Sequence, residues 1–219
     1  PVLSVPNSWK EELANGMKVY GIEQNEIPTV NFSLVMEGGH LLDNMDKNGV
    51  ANLITSIMME GTANKTPQEL QEEIEMLGAN MNMYTTRESI VIQVNTLARN
   101  YEATLALVEE VLTQPRWDLE EFGRIKTATI NRVKRSSANP NAVAGRVFNK
   151  LLYGQDHIFA YPTSGTVASI EAISMEDVKA FYAANFSPSV SKFHIVGQIE
   201  KAKAMAGLRA LEKNWAAKE

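Results

Sequence analysis

The stretch Gly49-Val50-Ala51-Asn52-Leu53-Ile54-Thr55-Ser56-Ile57-Met58-Met59-Glu60-Gly61-Thr62 carries most of the information about the fold and function of this chain. It predicts a helix that ends at a Gly-Thr pair. One face carries Asn52, Thr55 and Ser56, at spacings of three and four residues. The opposite face is an apolar stripe of Val50, Leu53, Ile54, Ile57 and Met58. Three short uncharged polar side chains are unusual on a solvated helix face, where lysine and glutamate are expected.

Length and composition are those of an ordinary globular protein. The 219 residues can bury a sizeable core, and 44% of them are hydrophobic and 21% charged. The net charge is −5, with acidic and basic residues interspersed, so we expect no contact with nucleic acid or membrane. No apolar run has the length of a transmembrane helix. The chain has no cysteine, which excludes disulfides, thiolate nucleophiles and cysteine-ligated zinc.

The hydrophobic pattern predicts five strands and eight helices in an irregular order. Strands are predicted over residues 16–24, 29–37, 80–88, 89–96 and 191–196. Helices are predicted over residues 48–60, 66–77, 100–112, 118–137, 139–152, 166–172, 174–185 and 200–215. This order is not a βαβ alternation. It favours an α+β fold, with a mixed or mainly antiparallel sheet and helices packed mainly on one face. Without repeats or linkers, residues 1–219 are predicted to form a single domain.

The rest of the sequence carries none of the common catalytic or cofactor-binding motifs. Gly38-Gly39 is a lone pair that predicts a tight strand exit, since it is part of no phosphate-binding pattern. His40, His157 and His194 each lack a second histidine three or four residues away, so they cannot form a helical zinc pair. We expect His194 to be structural, whereas His40 and His157 are candidate partner contacts. The carboxylates are spread along helix surfaces and suggest no acid–base pair.

The helix over 49–62 resembles the active-site helix of the pitrilysin/insulinase zinc peptidases, whose pattern is G-x-A-H-x-x-E-H-x-x-x-x-G-T. Other segments resemble that family in the same order along almost the whole chain: 15–19, 35–39, 77–85, 117–122, 157–166, 175–182 and 186–197. Each match is weak alone, and their correct order makes the resemblance specific. It implies the α+β metallohydrolase-like half-domain of pitrilysin and of mitochondrial processing peptidase.

The same resemblance indicates which residues replace the catalytic ones. The first zinc-binding histidine of the family falls at Asn52, the general-base glutamate at Thr55 and the second histidine at Ser56. The third ligand, a glutamate, falls at Arg132, with Asn131 as the near alternative. Amide and hydroxyl oxygens are poor neutral zinc ligands, and a guanidinium is cationic and only donates hydrogen bonds. We therefore expect this chain to have no catalytic residue, no metal and no zinc peptidase activity of its own.

The resemblance implies a function in partnership. The chain is interpreted as an inactive half-domain, a fragment or subunit of a larger zinc metallopeptidase, which forms a peptide-binding chamber with a homologous domain. That partner would carry an intact H-x-x-E-H motif and its zinc. The strand segment Asn82, Met83, Tyr84 and Thr85 is the candidate edge for peptide binding, with an ordinary sheet strand as the alternative. A bacterial periplasm or cell envelope is favoured over mitochondria as the compartment.

Two other functions stay open at this point. The chain is also similar to the inactive core subunits of respiratory complexes, which share this fold and act as structural scaffolds. It could instead be an enzyme with a mechanism that does not use zinc. In that case, peptide turnover by the isolated chain would resist a chelator and disappear in the Ser56→Ala variant.

Overall fold

The computed structural model describes residues 7–217 and contains six strands and eight α-helices in that range. The strands are β1 (Ser8–Glu12), β2 (Lys18–Glu23), β3 (Thr29–Glu37), β4 (Asn80–Thr85), β5 (Ser89–Leu97) and β6 (Ser191–Gly197). The helices are α1 (Val50–Met58), α2 (Pro67–Met76), α3 (Tyr101–Thr113), α4 (Leu119–Ser136), α5 (Pro140–Tyr153), α6 (Val167–Ala172), α7 (Met175–Asn185) and α8 (Lys201–Asn214). Residues 1–6 and 218–219 of the predicted single domain lie outside the described range.

The six strands form one mixed sheet with the order β1-β2-β6-β3-β5-β4. In the described range β2 and β6 are the only parallel neighbours, and every other neighbouring pair there is antiparallel. Alternate side chains of β3, including Phe32 and Leu34, are buried in the core beneath the helices, whereas Asn31 on the other face is exposed. Phe32 stacks on Phe193 of β6, with ring centroids 5.3 Å apart. The predicted α+β class, with helices on one face, is confirmed.

Strand β1 was not expected from the sequence. It reads SWKEE and lies at the edge of the sheet, where charged side chains weaken the hydrophobic alternation that identifies a strand. Trp9 crosses directly over Gly21 of β2, where an added Cβ would lie only 2.0 Å from the indole ring. Any larger residue at that position would force the indole ring of Trp9 to move.

Strand β4 is shorter than predicted and ends at Thr85. Residues 86–88 form the hairpin turn instead, closed by the backbone N–H of Thr86, which donates to the carbonyl of Ser89 at 2.7 Å.

The start of α2, in contrast, follows the prediction. Thr66 accepts a hydrogen bond from the N–H of Glu69, whose carboxylate accepts the N–H of Thr66, so the capping box is present.

Candidate functional site

A buried carboxylate fixes the start of α1, the helix with the motif positions. Gly49 precedes the helix with φ of +105°, a left-handed conformation that favours glycine. Asp43 accepts hydrogen bonds from the N–H of Gly49 at 2.7 Å and from the N–H of Ala51 at 2.9 Å. These bonds satisfy two backbone donors at the helix N-terminus that would otherwise lack an intrahelical partner.

His40 belongs to the same buried network. Its Nδ1 lies 2.8 Å from Oδ2 of Asp43, and its Nε2 lies 3.2 Å from the carbonyl of Ile158 and 3.3 Å from that of Tyr161. The side chain is fully buried. The prediction of His40 as a partner contact is therefore wrong: it joins the entry to α1 to the loop after α5.

The other two histidines lie closer to the surface. His157 is exposed, stacks on Tyr153 and accepts the N–H of Phe159, so its role as a partner contact stays a prediction. His194 is half-buried in β6 and stacks on Tyr20, and this burial lowers the pKa of its imidazole. Neither histidine lies on α1 or α4.

The three polar side chains of α1 do not share one environment. Thr55 is buried, and its hydroxyl donates to the carbonyl of Asn52 at 2.9 Å, one turn earlier in the helix. Asn52 and Ser56 are half-buried. The Nδ2 group of Asn52 is shielded from solvent and has no hydrogen-bond partner among residues 7–217. The polar face expected from helical spacing therefore includes one residue, Thr55, that is turned into the protein.

Ser56 and Arg132 come together across a cleft of about 350 Å³ between α1 and α4. The lining residues are Ser56, Glu60, Arg124, Ile125, Ala128, Thr129, Arg132 and Arg135. Asn131, the near alternative for the third ligand position, is exposed and does not line this cleft. The cleft thus joins two of the positions, Ser56 and Arg132, that the family resemblance places in one site.

The cleft is strongly cationic. Arg124 lies 2.6 Å from a carboxylate oxygen of Glu121 and 2.6 Å from one of Glu60, and these bonds raise the pKa of its guanidinium. Arg132 and Arg135 are exposed and form no ion pair within the part of the chain that the structure describes. Two guanidinium groups therefore line the cleft without a counter-charge.

These residues do not fit a zinc ion. The positions equivalent to ligands carry an amide, a hydroxyl and a guanidinium, and the orphaned atom of Asn52 is a hydrogen-bond donor, which cannot bind a cation. Between residues 7 and 217, no three histidine or acidic side chains are grouped so that they could hold a metal ion.

The candidate peptide-binding strand β4 lies at the edge of the sheet and, among residues 7–217, pairs only with β5. Helix α1 contacts β4, so this strand lies beside the motif helix. Asn82 and Tyr84 are exposed, whereas Met83 is buried in the core and Thr85 is half-buried. An unpaired edge offers backbone N–H and C=O groups to an added strand, and peptide binding there stays a prediction.

Sequence reasoning missed the surface of α5. No residue of this helix is buried. We define the α5 apolar face as Val143 (39% exposed), Val147 (52%), Phe148 (62%), Leu151 (81%) and Leu152 (59%). An apolar stripe at helical spacing normally predicts packing against a core, so the sequence alone gave no reason to place this one at the surface.

Comparison with known proteins adds a family match. The family model described as Insulinase (Peptidase family M16) matches residues 18–159. A Rickettsia bellii protein described as an uncharacterized zinc protease is 20% identical over 86% of the chain, which spans 46% of that protein. Subunit 1 of the cytochrome b-c1 complex from Bos taurus is 22% identical over 87% of the chain, which spans 38% of that protein.

A solved structure gives the same fold. The chain superposes on a peptidase M16 inactive domain from Pseudomonas fluorescens with a TM-score of 0.90 and 25% identity, covering 97% of this chain and 52% of that one. The chain therefore spans about half the length of the relatives it matches, or less. No helix between residues 7 and 217 is long and apolar enough to cross a membrane.

Proposed function

The chain belongs to the insulinase family of peptidases, peptidase family M16, and we propose that it serves there as a non-catalytic half-domain. In this proposal it encloses a peptide-binding chamber together with a homologous domain that carries an intact H-x-x-E-H motif and zinc. The observation that carries the proposal is that the two helices of the site keep their arrangement although the metal-binding residues are replaced. Helices α1 and α4 still bring Ser56 and Arg132 to one cleft, yet the residues there cannot hold the metal.

Two features support a homologous partner domain. The chain spans about half the length of its relatives or less, so those proteins have room for a second domain of similar size. The α5 apolar face also leaves five large side chains exposed on a helix without any buried residue. Exposed apolar patches of this kind mark interaction surfaces. We assign this face to contact with the second M16 domain.

Co-purification tests the proposed function. A tagged form of the chain, isolated from cells that produce it, should be accompanied by an M16 domain with an intact H-x-x-E-H motif, either as a second protein or within the same polypeptide. Mass spectrometry identifies that domain, and peptide turnover by the complex should stop on zinc chelation. Redox subunits in place of the peptidase domain would favour the scaffold function, which the match to the cytochrome b-c1 subunit keeps as the second candidate.

Substitutions on the α5 apolar face should separate binding from folding. We expect the Phe148→Ser/Leu151→Ser variant to bind the partner domain at least about tenfold more weakly, because each buried apolar side chain contributes about 1.5–3 kcal/mol. Its midpoint of thermal unfolding should stay near that of the wild type, since both side chains are exposed in this chain.

A matched control is available for that experiment. Met76 and Leu119 are 79% and 70% exposed on other helices, so the Met76→Ser/Leu119→Ser variant removes a similar amount of exposed apolar surface. It should keep the wild-type affinity. Equal affinities for the two double variants would contradict the assignment of α5 to the interface.

A further inference from the structure

We propose that the cleft between α1 and α4 binds a carboxylate of an acidic peptide. The inference rests on the proposed function in one respect, that the ligand is a peptide. The anionic character of the ligand follows from the cleft itself. It is lined by three guanidinium groups and a single carboxylate, that of Glu60.

The charge imbalance is concentrated in α4. After Glu121 this helix contains no acidic residue up to its end at Ser136, although the whole chain has a net charge of −5. Its cations are Arg124, Lys126, Arg132, Lys134 and Arg135. Basic residues in the last turn interact favourably with the helix dipole, which accounts for Lys134 and Arg135. Arg132 lies earlier in the helix and needs another explanation.

The existing contacts leave two of the three cations that line the cleft available. Arg124 is held by Glu60 and Glu121. Arg132 and Arg135 line the same cleft without a counter-charge in the described part of the chain, and they repel each other at a spacing of three residues. A bound anion would relieve that repulsion. The carboxylate of Glu60 is bound by Arg124, which it shares with Glu121, so it opposes an incoming anion less than a free acid would.

The side chains around these cations suit a carboxylate. A guanidinium presents a planar fork of N–H donors that matches the two oxygens of a carboxylate. Ser56 and the buried Thr129 add hydroxyl groups to the wall, and Ile125 and Ala128 supply apolar surface. The volume of about 350 Å³ lies within the range of small-ligand sites. An acidic side chain together with its neighbouring peptide group is a ligand of that size and chemistry.

Calorimetric titration of the chain at low ionic strength tests the proposal. The probes are an acetylated and amidated peptide of about ten residues with several glutamates, its glutamine counterpart, a neutral peptide with a free C-terminus, and inorganic phosphate. We expect the glutamate peptide to bind at least about tenfold more tightly than the glutamine peptide, and to weaken as salt is added. Binding of the neutral peptide but not of the glutamate peptide would contradict the proposal, because the carboxylate bound would then be that of a C-terminus and not that of an acidic side chain.

Two double variants locate the site. Arg132→Gln/Arg135→Gln should weaken binding of the glutamate peptide by about tenfold or more, since both charge-assisted hydrogen bonds are lost. Lys203→Gln/Arg209→Gln removes two exposed positive charges from α8 and should change the affinity by less than about twofold. Both variants lose the same net charge, so the comparison separates a local site from general attraction.

Three results would overturn the proposal: equal affinity for the glutamate and glutamine peptides, equal loss in the two double variants, or phosphate binding as tight as that of the peptide. The test is independent of the partner domain. Acidic-peptide binding that persists although no M16 partner is ever found would count against the proposed function alone. If an M16 partner were confirmed but the glutamate peptide did not bind at the cleft, that result would count against this inference alone.

Discussion

Replacing Asn52 and Ser56 by histidine and Arg132 by glutamate should create a zinc site in this chain. Positions 52 and 56 are one helical turn apart on α1, which is the spacing at which two histidines bind one zinc ion. Position 132 shares a cleft with position 56 and would supply the third ligand, a carboxylate. We expect one zinc ion per chain, bound at least about a thousandfold more tightly than by the wild type.

Competition with a chromophoric chelator measures this affinity, and the thermal unfolding midpoint gives a second measurement. Zinc that binds only the folded state should raise the midpoint of the triple variant and leave that of the wild type unchanged. The matched control carries both histidines with Arg132→Gln, so it lacks the third ligand but also loses the positive charge. If the triple variant bound zinc no better than this control, α1 and α4 would not hold the geometry of the family's metal site.

The second large effect concerns stability. Asp43→Ala should lower the free energy of unfolding by about 3–5 kcal/mol. This is the cost of leaving buried hydrogen-bond donors without the carboxylate that accepts from them. The substitution removes the acceptor for the N–H groups of Gly49 and Ala51 and for the ring of His40. Because small domains are stable by only about 5–15 kcal/mol, a large fraction of the variant could unfold at moderate denaturant concentrations. Urea unfolding monitored by tryptophan fluorescence measures the change.

Asp46→Ala is the control for this experiment. Asp46 lies three residues further along the same segment, is exposed, and its carboxylate forms no hydrogen bond or ion pair among residues 7–217. Its substitution should change stability by less than about 0.5 kcal/mol. A loss of less than about 1 kcal/mol in Asp43→Ala would mean that water replaces the missing acceptor and that the network contributes little.

Much of the fold could be predicted because local signals agreed with the final structure. The capping box at Thr66 and the alternation of apolar residues along β3 each identified an element without knowledge of its neighbours. Strand β1 could not be found in this way. Its sequence SWKEE forms a strand through antiparallel pairing with β2, where Gly21 leaves room for Trp9, and this contact joins two separate segments.

The site was predicted less completely, because burial and charge pairing depend on tertiary contacts. Helical spacing predicted that Thr55 shares a polar face with Asn52 and Ser56, yet Thr55 is buried in the protein and its hydroxyl donates to the carbonyl of Asn52. His40 follows two glycines in what reads as an exposed loop, and its buried partners come from residue 43 and from residues more than 100 positions away. The resemblance placed Ser56 and Arg132 in one site, but the charge of the cleft also depends on Arg124, Arg135 and Glu60, which only the packing of α1 against α4 brings together.

The position of β6 has a consequence for synthesis on the ribosome. This strand, residues 191–197, lies between β2 and β3, which are complete by residue 37. Until it emerges, both neighbours present open backbone edges, and apolar side chains such as Phe32 lack their stacking partner Phe193. Sheets closed by such distant pairings form slowly and expose aggregation-prone intermediates. A nascent chain arrested before residue 191 should therefore remain a client of chaperones, however long its earlier helices have had to form.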